Sequence, residues 1–159
     1  MKKFAFLALT LSVFAAFTSC KKIEEPSTVN IINSAGTAVI KGIAYAETNE
    51  FNAVREYAPV GTKLTIVLDP NDFPGISTSM NNDNLLLYQT TVGTNGAWEV
   101  TVKAPKAPIN ASIAADNFRA DFTNFLGNTI EDQIWTLDGP YSVMVWDANT
   151  TIIDLQFVR

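Results

Sequence analysis

At 159 residues, 47% of them apolar and 17% charged, the chain is one ordinary domain with an appendage, too apolar for disorder over most of its length. Sixteen acidic residues against 11 basic give a formal charge of −5, and such a surface repels phosphate backbones, which argues against a nucleic-acid partner. Histidine is absent, so Ser-His-Asp and Cys-His catalysis and imidazole-based metal sites are excluded, and the single Cys20 has no mate for an internal disulfide.

Met1-Lys2-Lys3 is a short basic start followed by a mostly apolar run from Phe4 to Phe17. That pattern is a secretory leader, too short for a comfortable membrane span. It ends at Phe17-Thr18-Ser19-Cys20, small residues directly before a cysteine, and resembles a bacterial lipoprotein signal. The resemblance implies cleavage after Ser19 and acyl chains on Cys20. At about 0.8 kcal/mol per buried methylene, two or three chains hold a protein on a bilayer essentially permanently. Loss of Lys2 and Lys3 with the leader takes the 11 basic residues to 9 against 16 acids, a net charge of −7. Lys21-Lys22-Ile23-Glu24-Glu25 resembles the lysine-plus-acid signal that accompanies lipoproteins to the outer face of the outer membrane in Bacteroidota. The expected division is a leader over 1–19, a lipidated cysteine and polar tether over 20–36, and a folded domain over 37–159. Val29-Asn30-Ile31-Ile32 interrupts the tether and fits a short edge strand.

Ala38 to Glu47 reads as the first firm strand, and Gly42 inside it marks a bulge or a close backbone approach. Thr48 to Tyr57 is a polar, acidic loop holding Glu47, Glu50 and Glu56 at or near it. Ala58-Pro59-Val60-Gly61 is turn chemistry entering a strand from Thr62 to Asp69. Asp69 to Asn84, rich in Pro, Gly, Asn and Asp, is expected as a long exposed loop. Leu85 to Lys103 is expected as a hairpin: two β-rich runs flank Asn95-Gly96, which supplies the positive φ of a tight turn. Trp98, Val100 and Val102 alternate with polar residues, so Trp98 is expected in the core. Ile109, Ala111, Ile113 and Ala115 share one face of the next strand. Phe118, Phe122 and Phe125 fit a helix by spacing, while Phe118-Ala120-Phe122 fits a strand; a short strand or irregular structure is preferred, with a further strand near Gln133 to Leu137. Tyr141 to Asp147 and Thr151 to Val158 are expected to form a closing hairpin.

Short strands recurring between turn signals, with no long amphipathic helix, predict an all-β, antiparallel β-sandwich of about seven to nine strands. Three patches carry a family resemblance. Ile40-Lys41-Gly42-Ile43-Ala44-Tyr45, Ala58-Pro59-Val60-Gly61-Thr62-Lys63-Leu64-Thr65-Ile66 and Tyr88-Gln89-Thr90-Thr91-Val92-Gly93-Thr94-Asn95-Gly96-Ala97-Trp98 resemble the transthyretin-like (prealbumin-like), carboxypeptidase-regulatory-like domains. The resemblance implies a structural or binding module and brings no catalytic residues. Gly93 stands where an acidic residue is frequent in that family.

The leading functional reading is therefore a lipid-anchored envelope protein of the outer membrane, on the cell surface or the periplasmic face. Its sandwich acts as a structural or protein-interaction module, with no catalysis and no cofactor. A second reading is a carbohydrate-binding accessory lipoprotein that presents Trp135 or Trp146, with Trp135 the better exposed candidate and Trp146 on either face of its strand. A third is a small hydrolase built on paired carboxylates such as Glu47, Glu50 and Glu56. Asp69, Asn71, Asp72 and Asp83, with Asn81, Asn82 and Asn84, offer oxygen ligands of the kind Ca²⁺ takes, without the spacing of a recognised calcium loop; their ordinary role is turn formation.

Overall fold

The computed structural model describes residues 28–52, 54–76 and 84–159. The leader, Cys20, the Lys21–Glu25 signal and the loop positions Asn81, Asn82 and Asp83 lie outside these residues.

Ten strands form two sheets. They are β1 (Gly36–Ala46), β2 (Lys63–Leu68), β3 (Leu86–Thr91), β4 (Ala97–Ala104), β5 (Ile109–Ala115), β6 (Phe118–Thr123), β7 (Thr129–Leu137), β8 (Tyr141–Val145), β9 (Thr150–Ile152) and β10 (Leu155–Val158). One sheet runs β4-β1-β10-β7-β6, with β9 also on β1; the other runs β3-β2-β5-β8. The two pack face to face as a β-sandwich, as the alternation of apolar and polar residues requires. Ile40, Ala44, Leu155 and Phe157 of the first sheet and Leu64, Ile66, Leu68 and Val145 of the second are fully buried. Burying each large apolar side chain of this kind stabilises the fold by about 1.5–3 kcal/mol.

The expected phases of β2, β4 and β5 are those observed, and Trp98 is buried. Gly61 turns at φ 93° into β2. Gly42 is a site of close approach: a Cβ there would lie 1.8 Å from the Ile153 carbonyl oxygen. That carbonyl belongs to the break between β9 and β10, where the Asp154 carboxylate accepts from the Ile43 N–H at 3.0 Å and fills the gap in the ladder.

Several pairings differ from expectation. The Asn95-Gly96 turn forms, with φ of 56° and 72°, but the strands on either side of it do not pair with each other. β3 runs antiparallel to β2, from Leu68↔Leu86 to Lys63↔Thr91, and β4 runs antiparallel to β1, from Gly36↔Ala104 to Ile43↔Ala97. The turn thus carries the chain from one sheet to the other. The closing hairpin is corrected likewise: β8 pairs with β5, whereas β9 and β10 pair with β1. Both of those pairings are parallel, so a mainly antiparallel sandwich has its first and last strands running side by side in one direction.

Val29–Ile32 is helical, not a strand, within α1 (Thr28–Ser34). Ile31 and Ile32 pack against the core, and the Ala35 N–H closes the end of the helix on the Ile31 carbonyl at 3.1 Å. α1 therefore packs within the stretch expected to serve as tether. The Asp69–Asn84 loop is not simply exposed: a 3₁₀ turn over Pro70–Asp72 leads Phe73 and Ile76 back into the core. Phe118–Thr123 adopts the strand alternative, leaving Phe125 out in the following turn.

Candidate functional site

The structure gives several of the residues singled out by sequence local bonding roles. Asp69 is the N-cap of the 3₁₀ turn, its carboxylate accepting from the Asn71 N–H at 2.8 Å. This is the turn role that Asp takes before a helix start, and among the described residues no group of three or more Asp, Glu or Cys stands together to hold a metal. Glu56 accepts from the Thr48 N–H at 2.9 Å and from the Thr48 hydroxyl. Glu50 lies 3.9 Å from the Arg159 guanidinium. Both carboxylates thus help to build and fasten the loop after β1.

Trp135 is corrected from exposed candidate to core residue, with 2% of its surface accessible. Its ring lies parallel to that of Phe118 at 6.2 Å between centroids, and Phe122 meets it tilted at 6.3 Å. No ring face is left to offer a sugar. Trp146 is 42% exposed. The register resolves its face: Val143 lies opposite Ala111 and Val145 opposite Ile109, both core positions, so Met144 takes the outer phase of β8. Trp146 follows directly at the strand's end.

Among the described residues the sheet orders leave β4 and β6 at the edges of one sheet, with β9 paired on one side to β1, and β3 and β8 at the edges of the other. An edge carries unpaired N–H and C=O groups and is the natural place for another strand to add. β3 and β4 cover each other: the Thr90 hydroxyl donates to the Glu99 carbonyl at 2.8 Å, and the Lys103 N–H donates to the Tyr88 hydroxyl at 3.2 Å. β6 is covered at its end, where the Thr123 N–H donates to the Thr48 carbonyl and its carbonyl accepts from the Glu50 N–H, both at 2.8 Å. On β8 the Thr151 hydroxyl donates to the Met144 carbonyl at 3.1 Å.

That contact covers β8 at Met144, and no charged residue guards the rest of the strand. Its sequence, Tyr-Ser-Val-Met-Val, carries no charge, and Met144, Trp146 and Ile152 are exposed around it. Sequence reasoning found Trp146 but not Met144 or Ile152. The missing signal was pairing, since two apolar phases compete along Tyr141–Trp146 and only the β5 register decides between them.

Among the described residues no helix is long and apolar enough to cross a membrane. No protein-family model matches the chain, and no curated protein matches it. Among solved structures it is similar to the shaft pilin SpaA of Lactobacillus rhamnosus GG, seen in an unsubstituted and a doubly substituted form, each at 11% identity and TM-score 0.42. That match covers 79% of this chain and spans half of the pilin chain, 50%. The major plantain pollen allergen Pla l 1 is also similar, at 11% identity and TM-score 0.39, over 77% of this chain and 93% of the allergen.

Proposed function

We propose that the chain is a non-enzymatic, lipid-anchored protein of the bacterial outer membrane whose sandwich is an interaction module that accepts a partner strand along β8. The observation that carries the interaction is the uncharged β8 edge with Met144, Trp146 and Ile152 exposed beside it. Main-chain hydrogen bonds would supply affinity and the flanking apolar side chains selectivity. The anchor rests on the basic start, apolar run and Ser19-Cys20 junction, and the transthyretin-like resemblance fits a binding module. Membrane fractionation of wild type and Cys20→Ala tests the anchor, and release of the variant into the soluble fraction is expected. Amide exchange along β8, with and without isolated cell envelope, tests the edge. A variant that stays in the membrane, or β8 amides that exchange equally in both conditions, overturns the corresponding half.

The exposure of Trp146 supports a second reading as a glycan-binding accessory protein. Trp98 and Trp135 are both buried, so a change in tryptophan emission across a glycan panel would report chiefly on Trp146. No change, or a change that survives Trp146→Phe, removes that reading.

A further inference from the structure

The end of the sandwich reached by the C-terminus of β1 carries a second apolar surface, separate from β8. Phe51, Phe125 and Leu126 are 67%, 71% and 68% exposed. Phe51 belongs to the loop after β1, and Phe125 and Leu126 form the tip of the β6–β7 hairpin. The two loops touch, because a Cβ on Gly127 would lie 3.5 Å from the Phe51 ring. They are also bonded together through the two Thr123 hydrogen bonds to Thr48 and Glu50.

This tip is built rather than slack. The Asn124 carboxamide oxygen accepts from both Leu126 N–H and Asn128 N–H at 3.0 Å, while the Asn124 N–H donates to the Asn128 carbonyl at 3.0 Å. Asn49 accepts from the Phe51 N–H at 3.1 Å in the same manner. Holding large apolar side chains out on a fixed frame removes ordering cost before a partner arrives, and aromatic anchors are where interface energy concentrates.

Charge decides what covers the tip. Glu47, Glu50, Glu56, Asp121, Glu131 and Asp132 are carried by the two tied elements, within six residues of Phe51 or Leu126 along the chain. Three arginines offset half of these six acids and leave a net negative charge: Arg119 pairs with Asp132 at 2.5 Å, Arg55 lies 3.4 Å over the Tyr45 ring, and Arg159 lies 3.3 Å over the Phe122 ring and 3.9 Å from Glu50. A second copy would bring the same six carboxylates against these six, and an anionic bilayer would be repelled as well. The tip also stands at the opposite end of β1 from α1, roughly 33 Å away at about 3.3 Å per residue.

We propose that Phe51, Phe125 and Leu126 form a docking tip for a protein partner that offers an apolar pocket ringed by lysine or arginine. This holds whether or not β8 takes a strand. The probe is a fluorescein-labelled amphipathic helical peptide of leucine and lysine, compared by anisotropy with a leucine–glutamate peptide of equal hydrophobicity. Saturable binding of the lysine peptide alone is expected, weakened at least fivefold by Phe125→Ser/Leu126→Ser and again by raising salt from 20 to 200 mM. The melting temperature of the double variant should match wild type, since both side chains are exposed, which separates lost docking from lost folding. Equal binding of the two peptides, or binding indifferent to the double variant, overturns the proposal. So does concentration-dependent dimerisation abolished by the double variant, which would make the occupant a second copy, or tip-dependent cosedimentation with phosphatidylcholine–phosphatidylglycerol vesicles.

Discussion

Replacing Gly42 by alanine tests how β1 is held between its neighbours. The new Cβ would stand 1.8 Å from the Ile153 carbonyl oxygen and 2.6 Å from the carbonyl carbon. Because the obstacle is backbone, it cannot rotate aside, and the β9–β10 junction has to move. That movement loosens the Ile153 N–H bond to the Lys41 carbonyl at 2.9 Å and the Ile43 N–H bond to the Asp154 carboxylate at 3.0 Å. Two solvent-accessible hydrogen bonds contribute about 1 kcal/mol each. Forcing an extra methyl into a packed site costs about 1–3 kcal/mol. The expected loss is therefore about 3–5 kcal/mol, a large share of the ~5–15 kcal/mol that holds a domain of this size. Intrinsic preference alone gives the opposite sign, since glycine within a strand is about 0.5–1 kcal/mol worse than alanine. Urea unfolding followed by tryptophan emission measures the difference, and Asp154→Ala supplies the partner for a double-mutant cycle. The double variant should lose less than the sum of the singles, because the two share one junction. A Gly42→Ala protein with an unchanged or raised midpoint would refute the reasoning.

Gly36→Ala looks equally crowded, with Asp147 Oδ1 1.7 Å from the new methyl, but the obstacle is the end of a side chain. It should cost no more than about 1 kcal/mol, the loss of the 3.3 Å bond from the Thr37 N–H, when measured by the same unfolding assay. Phe157→Ala, at a fully buried position beside Phe118, should cost about 3–5 kcal/mol in the unfolding midpoint. Arg119→Ala removes an ion pair of 2.5 Å, yet its side chains are 58% and 68% exposed, so thermal melts should register less than about 1 kcal/mol. Iodide should quench Trp146 alone, and Trp146→Phe should remove nearly all quenchable emission, given 4% and 2% exposure at Trp98 and Trp135.

The parts of this fold legible in sequence are those set by neighbours along the chain. Alternation in Leu64-Thr65-Ile66 and Trp98-Glu99-Val100 gives strand and face, and Asn95-Gly96 gives the reversal. What a reversal does not encode is the partner. The same turn serves a hairpin or a crossing between sheets, and here β3 pairs along its whole length with β2 while β4 pairs along its whole length with β1. Gly42 announced a close approach but not the Ile153 carbonyl that makes it. Trp135 was misplaced because its burial depends on stacking against Phe118, a cross-strand neighbour. The two proposed docking surfaces are hidden in the sequence for the same reason. Thr151, next to Ile152, meets Met144 only after folding, and the loop carrying Phe51 reaches the Phe125–Leu126 tip through the Thr48 and Glu50 hydrogen bonds to Thr123.

The parallel seating of β10 against β1 bears on when this protein becomes a protein. The chain must have been made as far as Leu155 before Ala44 can meet it, and as far as Phe157 before Ala46 can meet that residue. A nascent chain held back at its tail leaves the middle of one layer vacant, with Ile40 and Ala44 uncovered on that flank. Closure of so long a loop is slow, so this layer of the sandwich is completed only when residues 155–157 join it.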